Sequence, residues 1–257
     1  RGTNRLSKIE SILVDLDVPK SFMRSKTRLI GSAYIVRGIA GFGSGLIAIP
    51  LLALIMPLSI AVPMIVLLDY VASASHGLSN RKAIQWRDLL PLLPFSLLGV
   101  VLALYLFQSL DTQVLIRGLG IFLLLFAVYS LFSFTPKSQP SILWAIPGGI
   151  LGGLIGTLFG TGGPFYVIYL KLRGLQKNSF RATFAAIFLL DGLGRISGYL
   201  ITGFFDLNQI LLTALALPLM AVGMYVGGQI HTNLSQQTFQ RGISVLLIFS
   251  GLSLLFK

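Results

Sequence analysis

The sequence is poor in charge and contains no cysteine. Charged side chains make up 11% of the 257 residues, whereas soluble domains carry about 25%, so they could not cover a soluble surface of this size. The absence of cysteine excludes a small disulfide-bonded scaffold. With only two histidines in the chain, a transition-metal site has little support, and no cofactor is predicted.

Apolar residues are abundant instead. They account for 54% of the chain, and the mean hydropathy is +0.85. This excludes a disordered chain and favours a multi-pass membrane protein, with the lipid bilayer as its first partner. The net charge of +12 comes from residues in short loops and in an N-terminal tail. Their placement indicates membrane topology rather than nucleic-acid binding, so no nucleic-acid partner is predicted.

Apolar elements follow one another along the chain, and turn signals separate them. Because these runs are continuously apolar, we predict helices rather than the alternating strands of a barrel. The fold class is therefore all-α integral membrane. The predicted elements are Leu29–Pro57, Ser59–Gly77, Leu89–Phe107, Val114–Phe134, Ile142–Leu172, Ala182–Thr202, Ile210–Ile230 and Phe239–Phe256.

The first 28 residues differ from the rest of the chain. They hold seven Lys/Arg and three acidic residues, without the apolar core of a signal peptide. Their apolar residues fall on one helical face, which fits either a surface helix without function or docking at the membrane interface. The predicted organisation is a basic tail (1–28), a first membrane repeat (29–134) and a second membrane repeat (141–257).

The division into two repeats follows from a duplicated motif. Phe42-Gly43-Ser44-Gly45 recurs 117 residues later as Phe159-Gly160-Thr161-Gly162, and three more elements follow each copy. The two elements that contain the motif are too long for one span and too short for two. We therefore predict two four-element repeats, each opening with a glycine-broken or re-entrant helix, as in duplicated transporter folds.

Positive charge in the loops predicts which broken element is a hairpin. The loops 79–87 and 171–181 are both basic, so both are expected on the cytoplasmic side. Three elements lie between them, and one of the three must therefore not cross. The fifth element, broken at Gly160–Gly163, is the expected re-entrant hairpin. The first element is left open between a hairpin and a broken span.

The glycine motifs and their surroundings resemble the sulfite exporter TauE/SafE family of secondary anion transporters, over roughly residues 34–256. The resemblance rests on the stretches from Arg37 to Pro50 and from Gly156 to Pro164. It implies a bacterial inner-membrane location and the export or uptake of sulfite, sulfonates or related sulfur-containing anions.

A broken helix exposes backbone N–H groups and the positive end of its dipole, which together attract an anion. Ser44 and Thr161 occupy equivalent positions and could donate hydroxyl hydrogen bonds or cap the following half-helix. For Gly148 and Gly152 the spacing of four favours helix packing instead. The candidate substrate-binding residues are Arg37, Gly43, Ser44, Gly45, Gly160, Thr161, Gly162, Gly163 and Arg195.

Charge at membrane depth marks further candidates, because it is costly and usually functional. Arg195 would bind an oxyanion through its guanidinium. Asp191 is spaced i, i+4 from Arg195, so the two can pair, and the pair is either structural or a switch. Asp69 lies mid-element as a candidate proton carrier or a polar packing contact. His76 completes the coupling or gating candidates, although an interfacial role fits it as well.

The predicted function is secondary transport of a small oxyanion by alternating access, with one half rocking against the other. Proton coupling through Asp69 or Asp191 is a hypothesis. An anion channel is the main alternative, and a structural partner is a weaker one. An enzyme is not predicted, since no nucleophile or metal constellation is visible, and no phosphate loop for ATP is present. Transport direction, coupling ion and assembly into homo-oligomers are left open.

Overall fold

The computed structural model describes residues 31–36, 44–131, 141–205, 207–229 and 236–257. All regular elements in these ranges are helical, which confirms the all-α prediction. Residues 31–36 form a short helical segment. The helices that follow are α1 (Ser44–Ala53), α2 (Leu58–Gly77), α3 (Trp86–Leu89), α4 (Leu92–Ser109), α5 (Thr112–Leu131), α6 (Ala145–Phe159), α7 (Gly163–Leu172), α8 (Lys177–Ile201), α9 (Leu207–Gln229) and α10 (Gln236–Leu255).

Length and composition let five of the described helical stretches cross a membrane. Their outer faces carry exposed leucine, valine and aromatic side chains, as expected of a surface that meets lipid. Shorter apolar helices make up α1 and parts of α2 and α10. The long stretches are Trp86–Ser109, Thr112–Ser130, Ile142–Phe159, Asn178–Ile201 and Gln209–Gln229.

The predicted break in the fifth element is present. Helix α6 ends at Phe159, and Gly160 follows in the left-handed region with φ of 60°. Helix α7 then begins at Gly163, with Pro164 in its first turn, where a missing backbone N–H costs nothing. Glycine adopts the left-handed conformation without strain, so the local sequence itself ends α6 at this point.

The two arms of this element fold back on each other. Gly148 near the start of α6 contacts the side chain of Tyr169 near the end of α7, and Gly152 contacts Tyr166. This antiparallel register makes α6 and α7 a helical hairpin, as the loop charges predicted. Gly148 and Gly152 serve packing, also as predicted. An apolar cavity of about 80 Å³ separates the ends of the arms, beside Trp144.

The two basic loops lie on one side of the bundle. Arg173 Nε donates to Asp88 Oδ1 at 2.7 Å, and the Tyr169 hydroxyl donates to the Asp88 carbonyl at 2.8 Å. Nearby, the backbone N–H of Gln85 donates to Thr183 Oγ1 at 2.9 Å. We call this side of the bundle the Asp88 face. The loops therefore share a face, which is the arrangement that the charge pattern predicted.

Helices α4 and α6 run side by side, away from the Asp88 face. Gly149 packs against the backbone of Leu92 and Ser96, and Gly153 against the backbone of Ser96. Gly99, one turn further along α4, packs in turn against the backbone of α6. Missing Cβ atoms thus bring two backbones into contact, as small residues do in membrane helix pairs.

Helix α10 shows where the opposite side of the bundle lies. It runs antiparallel to α5, since Gly251 contacts Gly120 and Ser244 Oγ lies 2.6 Å from Ser130 Oγ. Because α5 returns toward the Asp88 face, α10 ends on the other side. There Lys257 Nζ donates to the Ala53 carbonyl at 2.7 Å, so α1 ends on that side too. We call it the Lys257 face.

The two described arms of the first predicted broken element run in opposite directions, and we call this element the first hairpin; residues 37–43 between the arms lie outside the described residues. Gly31 lies against Leu219, and Gly31 and Ile35 lie against Gly223, so the segment 31–36 runs parallel to α9. Helix α9 runs toward the Asp88 face because α8 ends and α9 begins on the Lys257 face. The segment 31–36 therefore approaches from the Lys257 face, and α1 returns to it. The two hairpins thus enter the bundle from opposite faces.

Candidate functional site

The tips of the two hairpins meet inside the bundle. A Cβ on Gly45 would overlap the carbonyl oxygen of Gly160, and a Cβ on Gly160 would overlap Ile49 Cδ1. Helix α1 begins beside this contact at Ser44, and α7 begins beside it at Gly163. Two half-helix N-termini therefore converge on one buried spot, and both carry the positive end of a helix dipole.

Arg195 lies against the tip of the second hairpin. A Cβ on Gly156 would overlap its guanidinium, and a Cβ on Gly162 would come within 2.8 Å of Nη2. Nη2 also donates to the Gly152 carbonyl at 3.1 Å. The side chain is 3% exposed, so it does not extend to the membrane surface. The glycines of α6 leave the space that the guanidinium occupies.

Arg195 and three other polar side chains form a closed ring. Arg195 Nη2 forms an ion pair with Asp191, as the i, i+4 spacing predicted, and it donates to the Tyr166 hydroxyl at 3.3 Å. The Ser96 hydroxyl lies 2.9 Å from the Tyr166 hydroxyl and donates to Asp191 Oδ1. The ring joins α4, α7 and α8, and all four residues are buried.

Three buried donors of α6, α8 and the loop between α6 and α7 have no partner among the described residues. They are the hydroxyls of Thr157 and Thr161 and Nε of Arg195. All three side chains are buried, and leaving a buried donor unpaired costs about 1–3 kcal/mol. The carbonyl of Thr157 is occupied, because the Tyr199 hydroxyl donates to it at 2.5 Å. Unpaired donors around a cationic side chain suit a ligand that brings negatively charged oxygens.

A second polar cluster holds the first hairpin. Asp69 on α2 accepts from the Tyr34 hydroxyl at 2.6 Å and from the Ser44 hydroxyl at 2.7 Å. The carboxylate is buried and binds both arms of this hairpin at once. The hydroxyl of Ser44 is thereby committed to Asp69, unlike that of Thr161. The two residues are thus equivalent in the motif but not in their bonding, and no side chain caps the start of α7.

The structure unites most of the candidates that sequence reasoning selected. Gly45 and Gly160 form the contact between the hairpins, Gly162 packs against Arg195, and Gly163 begins α7 beside Phe188. Ser44 pairs with Asp69, Arg195 pairs with Asp191, and Thr161 lies between Gly160 and Gly162. Arg37 and Gly43 lie outside the described residues, and nothing is described of the side chain of His76.

Sequence reasoning missed Tyr34, Ser96, Thr157, Tyr166 and Tyr199. Only a hydroxyl at membrane depth could have drawn attention to them, and many hydroxyls in this chain meet that description. Their partners are distant in sequence: Ser96 and Asp191, for example, are 95 residues apart.

Comparison with known proteins identifies the family of this chain. The chain matches the sulfite exporter TauE/SafE family over residues 29–254. It is 28% identical over 193 residues to the "Probable inner membrane transporter protein TsaS" of Comamonas testosteroni, covering 74% of this chain and 81% of that relative. No solved structure matches. With its long apolar helices, this multi-pass protein of the inner membrane belongs to the sulfite exporter TauE/SafE family and is a membrane transporter.

Proposed function

We propose that the protein is a secondary transporter for a small oxyanion, such as sulfite or an organosulfonate, which binds at Arg195, beside the contact between the two hairpins. The observation that carries the proposal is a buried arginine, Arg195, beside unpaired hydroxyls and a glycine-rich helix start. A guanidinium presents parallel N–H donors that match the oxygens of an oxyanion.

Each part of the site has a role in this proposal. Arg195 compensates the charge of the anion, and its unpaired Nε supplies a donor. The hydroxyls of Thr157 and Thr161 donate to further oxygens. The N-termini of α1 and α7 add two positive dipole ends. Gly45 and Gly160 let the two hairpins approach each other closely, and Gly156 and Gly162 leave the space that the Arg195 guanidinium occupies.

Sulfur oxyanions fit this site on chemical grounds. Sulfite and sulfonates both present three oxygens around one sulfur, and the arginine, the two threonines and the helix starts approach from several directions. The family name refers to sulfite, which supports a sulfur-containing anion as the first substrate to test. The name of the Comamonas relative refers to an inner membrane transporter and supports transport.

The opposed hairpins suit alternating access. One hairpin reaches the site from the Asp88 face and the other from the Lys257 face, so each tip separates the site from one side. Displacing one tip at a time would expose the site to one compartment only. Transporters with broken helices at the midplane work in this way.

The test is labelled-anion uptake into proteoliposomes that contain the purified full chain. We expect the wild-type protein to exchange external sulfite or methanesulfonate for unlabelled internal anion. Arg195→Lys keeps the charge but loses the guanidinium fork, so uptake should fall by about tenfold or more. Arg117→Lys is the matched control, because the same substitution at an exposed position on α5 should leave uptake unchanged.

An anion channel predicts a different result. A carrier exchanges labelled for unlabelled anion and so accumulates label transiently against its gradient, whereas a channel only dissipates gradients. Absence of this counterflow, with a large anion conductance instead, would favour the channel. Equal uptake by wild type and Arg195→Lys would remove Arg195 from the site.

A further inference from the structure

The Asp191 carboxylate already pairs with the guanidinium of Arg195, which the proposed function assigns to the substrate anion. Asp191 pairs with Nη2 of Arg195, and both residues are buried. A second negative group beside one buried guanidinium leaves a buried negative charge uncompensated, which is costly. An anion that binds Arg195, through its unpaired Nε or in place of the carboxylate, therefore favours protonation of Asp191.

We propose that Asp191 takes up one proton each time an anion binds, so that the protein couples anion movement to proton movement. This inference rests on the proposed function and adds its coupling ion. Before binding, the site holds Asp191 as carboxylate and Arg195 as guanidinium. After binding, the proton has formed an O–H bond on Asp191, and the guanidinium pairs with the anion. For a monovalent anion the net charge of the site is the same in both states.

The ring around Arg195 can accept this change without losing its hydrogen bonds. Ser96 donates its single hydroxyl hydrogen to Asp191, so in the pair with Tyr166 it accepts, and Tyr166 donates. Tyr166 in turn accepts from Arg195. When Asp191 is protonated, its own O–H can donate to Ser96, and the hydroxyls can reverse. A neutral acid therefore stays satisfied in place after the guanidinium turns to the anion.

Side chains from its own helix and from α2, α4 and α7 surround Asp191. On its own helix these groups are Arg195 and Tyr199. Tyr166 approaches from α7, and Tyr70 of α2 packs against the neighbouring Gly192. Helix α4 contributes the hydroxyl of Ser96, and α6 has no titratable side chain. Among these groups Asp191 is the acid in direct contact with the guanidinium of Arg195.

Asp69 provides a matched comparison. It is also a buried aspartate in the middle of a helix, and it also accepts from a serine and a tyrosine. Its hydrogen bonds to Tyr34 and Ser44 hold the two arms of the first hairpin, whereas Asp191 belongs to the ring that contains Arg195. If burial and hydroxyl contacts alone made an aspartate a proton site, the two residues would behave alike. The inference predicts that they differ.

The experiment uses methanesulfonate, which keeps one negative charge over the range tested, so any proton movement belongs to the protein. In proteoliposomes, an inward proton gradient should drive uphill uptake by the wild type, whereas a membrane potential without a pH gradient should not. Whatever rate of methanesulfonate exchange Asp191→Asn retains should no longer respond to the proton gradient. Whatever rate Asp69→Asn retains should still respond to it.

A second measurement needs only the wild-type protein. Calorimetric binding of methanesulfonate in buffers of different ionisation enthalpy should show about one proton taken up per anion. The affinity should fall about tenfold for each unit of rise in pH while Asp191 of the anion-free protein is a carboxylate. Binding without proton uptake overturns the inference, as does gradient-driven uptake by Asp191→Asn. Exchange by the wild type that ignores the proton gradient also overturns it and leaves the proposed function standing. Absence of any exchange by the wild type overturns the proposed function itself.

Discussion

Gly45 packs directly against the carbonyl oxygen of Gly160, so the two hairpin tips touch with no room for a side chain between them. The contact joins residues 115 positions apart, each from one copy of the repeated motif. It brings the starts of α1 and α7 to one place. The site that we propose depends on this contact more than on any other pair of residues.

Gly45→Ala tests the contact between the tips. The added methyl group would overlap the Gly160 carbonyl, which is backbone and cannot rotate away. We expect the tips to separate, with strongly reduced anion exchange in proteoliposomes and a lower midpoint of thermal unfolding. Gly228→Ala on α9 is the control, since a Cβ there meets nothing within 4 Å. Wild-type exchange by Gly45→Ala would show that the tips need not touch.

Gly160→Ala separates backbone strain from crowding. An alanine at φ of 60° costs about 1–2 kcal/mol, and its Cβ would also overlap Ile49 Cδ1. Gly203→Ala carries the same kind of strain at φ of 76° but has open space around it. We therefore expect Gly160→Ala to lower the free energy of unfolding by more than Gly203→Ala does.

A second substitution should restore the part of the stability that Gly160→Ala loses through its contact with Ile49. Ile49→Val removes the Cδ1 atom that the new methyl group would meet. The double variant should recover stability relative to Gly160→Ala and approach the cost of Gly203→Ala in a thermal or denaturant unfolding experiment. No recovery would show that strain, rather than contact with Ile49, dominates at this position.

Thr161→Val removes one proposed donor at nearly constant volume. A hydrogen bond of about 1 kcal/mol corresponds to about fivefold weaker anion binding, measured by calorimetry. Stability should hold or rise, because the Thr161 hydroxyl has no partner among the described residues. Thr213→Val is the matched control: its hydroxyl donates to the Gln209 carbonyl at 2.8 Å on α9, so binding should not change. Equal binding by Thr161→Val and wild type would exclude this hydroxyl from the site.

The ion pair of Asp88 and Arg173 should keep the Asp88 face closed. Because both side chains are partly exposed, breaking the pair should cost at most about 1 kcal/mol of stability. The same pair joins α3 to the end of α7, so losing it should open that face more often. We expect Asp88→Asn to increase the rate at which a maleimide reaches Thr157→Cys, a position that is now fully buried.

Two features of the chain make that labelling experiment clean. The sequence contains no cysteine, so the introduced thiol is the sole target. The charge-swapped variant, Asp88→Arg with Arg173→Asp, restores a pair of opposite charges and should return labelling toward the rate of the unaltered pair. Labelling that is the same with and without the pair would exclude a gating role for it.

Local sequence was sufficient for some of these features. Glycine in the left-handed region ends α6 wherever that helix packs, so the break at Gly160 could be predicted from nearby residues alone. The hairpin followed from the charge of two loops, because an odd number of crossings could not place both on one face. The pairing of Asp191 with Arg195 followed from their spacing on one helix.

Other features depend on which helices become neighbours. Ser96 reaches Asp191 because α4 and α6 pack backbone to backbone, and Tyr166 completes the ring because the second hairpin folds over α6. The difference between Ser44 and Thr161 arises because Asp69 lies opposite the first of them. A single sequence carries no signal for such pairs of distant residues.

The backbone contact between α4 and α6 also limits how the bundle can move. Helix α4 belongs to the first half of the chain and α6 to the second, yet no side chain separates them at Gly149, Gly153 and Gly99. A rigid rotation of one half against the other would break this backbone contact. In the proposed alternating-access cycle, α4 and the second hairpin would instead move together as one rigid unit, and Ser96 would keep its position relative to Tyr166.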